Sequence, residues 1–213
     1  MKIKICGLKA PENIAAVAGL NPDYMGFIFY KGTPRFVADL PADALAFLSA
    51  SINKTAVFVD ENAATIHALI DKFGFNTIQL HGNENADFAG SFRNKITVVK
   101  AFGINNDFDF EQLNDYAGKV DYFLFDAKTD LHGGSGKSFD WNILNNYKLA
   151  IPFFLSGGLS LDNLEEVQQI SHPQFYGVDL NSKFEISPGL KDLEKLKKAF
   201  EMIKLNNTHE VRS

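Results

Sequence analysis

The chain holds a single cysteine, Cys6, followed at once by Gly7. A lone thiol has two readings. It packs as a small hydrophobe, or its thiolate serves as nucleophile or base. A free thiol titrates near about 8.5, so the second reading needs a positive charge close by. Asp126 follows four apolar residues, Tyr122 to Phe125. As structure, it caps the next loop or pairs with Lys128. As chemistry, a carboxylic acid at the rim of an apolar core keeps its proton for delivery as a general acid. Gly157-Gly158 and Asn181-Ser182 are short segments of a different kind. Gly-Gly is a common turn, but glycine also lets backbone N–H groups approach phosphate oxygens, and a following helix N-terminus adds a favourable dipole. His81 reads as a base, a ligand or a satisfied structural residue. No second His or Cys lies at metal-ligand spacing, so no metal is expected. His67, His132, His172 and His209 read as surface or loop positions. Gly136-Lys137-Ser138 has the ending of a P-loop, but Leu131 stands where that pattern needs its first glycine. The segment 132–138 reads instead as a mobile glycine-rich loop over a pocket.

These residues sit at the ends of regularly spaced apolar runs: 2–6, 24–29, 55–59, 76–80, 96–102, 121–126, 151–156 and 175–180. Most lack strict alternation, as expected of strands buried on both faces of a parallel sheet. Helical stripes fall between some of them, over 62–73, 161–170 and 192–204. Pro11 and Pro41 suit first-turn positions, and Ser160 and Asp192 suit N-caps. Eight strands alternating with helices predict an α/β fold, a single parallel eight-stranded (β/α)8 TIM barrel over residues 1–205. An open doubly wound sheet is the competing architecture. The polar segment 206–213 is expected to fray as a C-terminal tail. In a barrel the active site lies at the C-terminal ends of the strands, and the last two loops often hold a phosphate. Cys6, His81, Asp126, Gly157-Gly158 and Asn181-Ser182 fall at or just after those ends.

The composition narrows the partners. The chain has 213 residues, 46% of them hydrophobic, enough for a sizeable core. Its net charge of −5 argues against a nucleic-acid surface. The N-terminus lacks the apolar stretch of a signal peptide, and no run is long enough for a membrane helix. A cytoplasmic protein with no membrane partner is expected, as a monomer or a homodimer. One cysteine fits a reducing compartment.

Seven ordered segments resemble the phosphoribosylanthranilate isomerase family of tryptophan biosynthesis. They are K-I-C-G-L (4–8), G-F-I-F-Y (26–30) with T-P-R (33–35), V-F-V (57–59), Q-L-H-G-N-E (79–84), F-L-F-D (123–126) with G-G-S-G-K-S-F-D-W (133–141), L-S-G-G-L (155–159) and P-G-L-K-D (188–192). The resemblance implies a cofactor-free Amadori rearrangement. The substrate is N-(5′-phosphoribosyl)anthranilate, and the product is 1-(2-carboxyphenylamino)-1-deoxyribulose 5-phosphate. By similarity, Asp126 is the general acid at the ring oxygen and Cys6 the general base at C2′. Arg35 binds the anthranilate carboxylate, and its charge also favours the thiolate. Gly157, Gly158, Asn181 and Ser182 bind the phosphate. His81 and Asp179 match pocket positions with no proton-transfer step assigned. Lys183 stands where the family usually has glycine, which loosens the phosphate assignment in that loop. Ser156 replaces a common alanine, with little expected effect. Two alternatives remain. A histidine-pathway aminoaldose isomerase shares the fold and the chemistry, but that family uses aspartates for both proton transfers and a substrate with two phosphates. A non-catalytic phosphosugar-binding barrel has no need of Cys6 and Asp126 together.

Overall fold

The computed structural model describes residues 1–37, 39–127 and 140–207. The apolar runs become strands β1 (Lys2–Ile5), β2 (Tyr24–Ile28), β3 (Asn53–Phe58), β4 (Thr77–Leu80), β5 (Thr97–Ile104), β6 (Tyr122–Ala127), β7 (Phe153–Ser156) and β8 (Phe175–Leu180). They pair in parallel in chain order and close where β1 meets β8, with Ile3 opposite Val178 and Ile5 opposite Leu180. The (β/α)8 barrel is therefore the observed architecture, and the open sheet is not.

Strand alternation decides what enters the barrel. On β6 and β7, Phe123, Phe125, Phe153 and Leu155 face outward into the main core under the helices. Tyr122, Leu124 and Phe154 face inward and form a second cluster with Tyr24, Val99, Ala101 and Tyr176. The inward rings close the end of the barrel where the strands begin: Phe154 lies 5.1 Å from Tyr24 and 5.2 Å from Tyr176, both edge to face. Two residues further along the same strands, the inward positions become Asp126 and Ser156. The same step leads from Lys4 to Cys6, from Gln79 to His81 and from Gly177 to Asp179.

The crossovers are less regular than the strands. Helices α1 (Pro11–Ala18), α2 (Ala63–Phe73), α3 (Ala86–Gly90) and α4 (Leu164–Gln168) fill four of the connections, and α5 (Leu193–Asn207) follows the last strand. Pro11 opens α1, as its missing N–H allows. Asn62 caps α2 by accepting from the Thr65 N–H, and Gly74 ends it at φ +62°. Asp192 caps α5, accepting from the backbone N–H groups of Glu194 and Lys195 at 3.1 Å each. Pro41 does not open a helix. Residues 41–50 form successive turns with bonds such as Ala44 N–H to Pro41 O at 3.0 Å. Phe47 there is 56% exposed, so little packing supports a full helix. Ser160 is not an N-cap either. Its hydroxyl accepts from Asp162 N–H inside a turn, and α4 begins only at Leu164. Short 3-10 turns, Phe110–Tyr116 and Trp141–Asn146, replace helices after β5 and β6. Both are rich in Asn, Asp or Tyr, which favour helices weakly. After β8 comes an unforeseen hairpin, β9 (Glu185–Ser187) with β10 (Leu190–Lys191). The expected mobile loop at 132–138, and Lys128 and His132, lie outside the described residues. So do residues 208–213 of the expected tail, whose first two residues belong to α5. Among the described residues no helix is long and apolar enough to cross a membrane.

Candidate active site

All nine residues singled out from the sequence line one cavity of about 220 Å³ at the C-terminal ends of the strands. Cys6 enters from β1, His81 from β4, Asp126 from β6, Gly157 and Gly158 from β7, Asp179, Asn181 and Ser182 from β8, and Arg35 from the loop after β2. The inward alternation of the strands brings Cys6, His81, Asp126 and Asp179 together, and the loops that follow β2, β7 and β8 supply the others.

Cys6 is a free thiol and almost wholly buried. Burial pushes its pKa above the ordinary value; Lys4 and Lys191 pull it back, and Asp179 adds to the rise. Lys4 lies beneath it on the same face of β1, buried, with Nζ donating to Asp179 Oδ2 at 2.7 Å. Burial raises the Asp179 carboxyl while Lys4 opposes the rise. The other Asp179 oxygen, Oδ1, is buried without a hydrogen-bond partner among the described residues.

Asp126 stands at the rim, its side chain 37% exposed. Ser156 Oγ donates to Asp126 Oδ1 at 3.0 Å, so this serine, though a minor change from alanine, touches the acid directly. His81 Nε2 lies 3.5 Å from Asp126 Oδ2, and His81 Nδ1 lies 2.9 Å from Gln79 Nε2. With the amide donating to Nδ1, the ring proton sits on Nε2 and faces the carboxylate.

Arg35 is engaged elsewhere than expected. Its guanidinium takes Glu185 through Nε (3.0 Å to Oε1) and Nη2 (2.5 Å to Oε2). The charges that act most on the thiol are therefore Lys4, Asp179 and Lys191. Gly7 makes the cluster possible. It sits at φ +78°, and a Cβ there would lie 2.7 Å from Asn181 Oδ1 and 2.8 Å from Arg35 Cδ.

Gly157 and Gly158 form a left-handed bend at φ +88° and +64°. Asn163 Nδ2 holds the bend by donating to Gly158 O at 3.1 Å. The dipole of α4, only five residues long, starts well past this bend and contributes little to it. Across the cavity Asn181 offers its oxygen to Lys191 Nζ at 2.8 Å. Ser182 begins a 3-10 turn in which it and Lys183 are exposed and Phe184 is buried.

Sequence reasoning passed over Lys4, Gln79, Glu185 and Lys191. Lys4 and Gln79 carried a usable signal, since each lies two residues before a chosen strand-end residue and shares its face. Lys191 stood inside the P-G-L-K-D segment without being given a role, and Glu185 carried no signal, because its role depends on the hairpin and on Arg35, 150 positions away.

The model of the family described as N-(5'phosphoribosyl)anthranilate (PRA) isomerase matches residues 3–202. A relative from Parabacteroides distasonis, an N-(5'-phosphoribosyl)anthranilate isomerase, is 44% identical over 209 residues, spanning 95% of this chain and 93% of that protein. The crystal structure of phosphoribosyl anthranilate isomerase from Thermus thermophilus superposes with a TM-score of 0.83 at 27% identity, over 97% of this chain and 100% of its own. Another such isomerase, solved in complex with reduced 1-(o-carboxyphenylamino)-1-deoxyribulose 5-phosphate, gives 0.80 at 26% identity, over 96% and 98%. These matches favour neither the histidine-pathway isomerase nor a non-catalytic barrel. This chain belongs to the phosphoribosylanthranilate isomerase family.

Proposed function

We propose that this protein converts N-(5′-phosphoribosyl)anthranilate to 1-(2-carboxyphenylamino)-1-deoxyribulose 5-phosphate, with the residues of the cavity in the following roles. Asp126, as the general acid, delivers a proton to the furanose ring oxygen as the C1′–O bond breaks. The nitrogen lone pair moves into the C1′–N bond and leaves an iminium ion. The iminium acidifies C2′, and the Cys6 thiolate removes that proton to give an enolamine. The enolamine takes a proton at C1′ and loses the one on its C2′ hydroxyl to become the ketone, so the net change is an isomerisation. The reaction needs one group protonated and another deprotonated at the same pH. Lys4 and Lys191 favour the charged thiolate, while Asp126 meets solvent at the rim, from which its proton can be replenished.

Arg35 takes the anthranilate carboxylate, and the two loops at Gly157-Gly158 and Asn181-Ser182 cradle the phosphate. His81 and Asp179 wall the pocket between them. The protein works in the cytoplasm, as a monomer or a homodimer, where a reducing environment keeps Cys6 a free thiol. One observation carries the reading: a thiol on β1 and a carboxyl on β6 both face one cavity that also holds a glycine bend and an arginine. The test is direct. Adding the protein to N-(5′-phosphoribosyl)anthranilate should quench the fluorescence of the anthranilate conjugate, and Cys6→Ala should not. A folded wild-type protein that leaves the signal intact overturns the proposal.

A further inference from the structure

Three charged side chains form a continuous chain at one wall of the cavity. Lys191 has its side chain fully buried, and Nζ donates to Asn181 Oδ1 and to Glu185 Oε1, each at 2.8 Å. Its backbone is pinned as well: Asn13 accepts from Lys191 N–H at 2.8 Å and donates to Lys191 O at 3.0 Å. Glu185 Oε1 also accepts from Gly189 N–H at 3.1 Å. The carboxylate is thus fixed from the hairpin side before Arg35 is considered. Burial works against its charge, but hydrogen bonds from Arg35 and Lys191 outweigh burial and hold its pKa below the ordinary value.

Glu185 occupies one particular edge of the guanidinium, the one formed by Nε and Nη2. A guanidinium carries five N–H donors in a rigid plane. Filling the Nε edge leaves Nη1 and the outer hydrogen of Nη2 as a second two-pronged donor. Arg35 lines the cavity, so that second edge is the one available to an occupant. The charges tell the same story. Two buried or half-buried cations face one anion, which leaves a single positive charge in surplus for one incoming carboxylate.

We infer that Glu185 is the positioning residue of the carboxylate-binding edge, with Lys191 as its anchor, and that together they set the selection for a substrate bearing one aromatic carboxylate. The inference rests on the reading that Arg35 takes the anthranilate carboxylate. Glu185 touches no reacting atom and acts through Arg35 alone.

Steady-state kinetics of the intact protein with N-(5′-phosphoribosyl)anthranilate tests it. Glu185→Gln keeps the size of the side chain but offers one oxygen instead of two, so Arg35 is no longer held at both ends. KM should rise about tenfold, with kcat within about threefold. In an Arg35→Met background, which itself raises KM, the same substitution should add nothing, because its effect passes through Arg35. A KM for Glu185→Gln that is unchanged overturns the inference. A lowered KM overturns it too, and makes Glu185 a competitor for the arginine. An equal increment in the Arg35→Met background also refutes it. If Arg35→Met alone leaves KM untouched, the Arg35 reading fails first and takes the inference with it. Should Glu185→Gln fold poorly because Lys191 is left without its anion, Glu185→Asp keeps the charge for Lys191 but is one methylene too short to hold both nitrogens of Arg35, and it should raise KM in the same way; an unchanged KM there overturns the inference.

Discussion

Gly157→Ala is the sharpest test of how the glycine bend serves the acid. Gly157 follows β7 directly, and Ser156 at the end of β7 is in register with Asp126 on β6. At φ +88° an alanine pays a backbone penalty of about 1–2 kcal/mol. Its Cβ would also stand 2.5 Å from Ala127 N and 2.7 Å from Asp126 Oδ1, and would meet the Ala127 carbonyl oxygen. Two of these are backbone atoms of a paired strand, so the collision is relieved only by moving the end of β6. Strain and clash together should cost about 2–4 kcal/mol. For a domain of this size each kcal/mol lowers Tm by about 2–4 °C, so the melt should fall by roughly 5–15 °C. The displaced atom is the carboxyl oxygen of the proposed acid. Misplacement on the order of 1 Å costs about a hundredfold in rate, and kcat/KM should drop by roughly ten- to a hundredfold. Circular dichroism melts and the fluorescence assay read the two quantities on one sample. An alanine variant that melts within about 2 °C of wild type and turns over within about twofold would refute the argument that this bend buttresses Asp126.

Cys6→Ala should remove measurable turnover while the barrel still melts cooperatively; an undiminished kcat would exclude the base role. Asp126→Asn should lower kcat by about 10²–10⁴, and a variant that changes only KM would recast Asp126 as a binding residue. Glu185 titrates below its ordinary 4.5 in the folded protein. Its contribution to stability is therefore complete above that pH and is lost as pH falls through the lower folded value. The acid limb of Tm against pH should be shallower in Glu185→Gln, and an unchanged limb would show that the carboxylate is not stabilised as described.

The strands were legible because a parallel barrel asks for runs apolar on both faces, and most of the eight have that form. Cys6, Asp126 and His81 were legible for a related reason: a polar residue that ends such a run must lie at the mouth. The crossovers were harder. Residues 41–50 contain good helix formers after a proline, yet Phe47 stays more than half exposed, and tertiary packing decides such cases. The stripe at 161–170 was real, since Leu164 and Val167 are buried, but the turn at Ser160 to Asn163 shortened the helix. Arg35 shows the limit most clearly. Its residue type suggested a free fork, and only the folded hairpin reveals that half of the fork is already taken by Glu185.

The aromatic cluster of Tyr24, Tyr122, Phe154 and Tyr176 has a consequence for traffic. It makes the reaction chamber a well with a floor, so a molecule entering past Asp126 has no passage onward through the barrel. Arrival and departure share one doorway. Spent ligand must vacate before fresh ligand docks, so substrate and ketose compete for one and the same chamber.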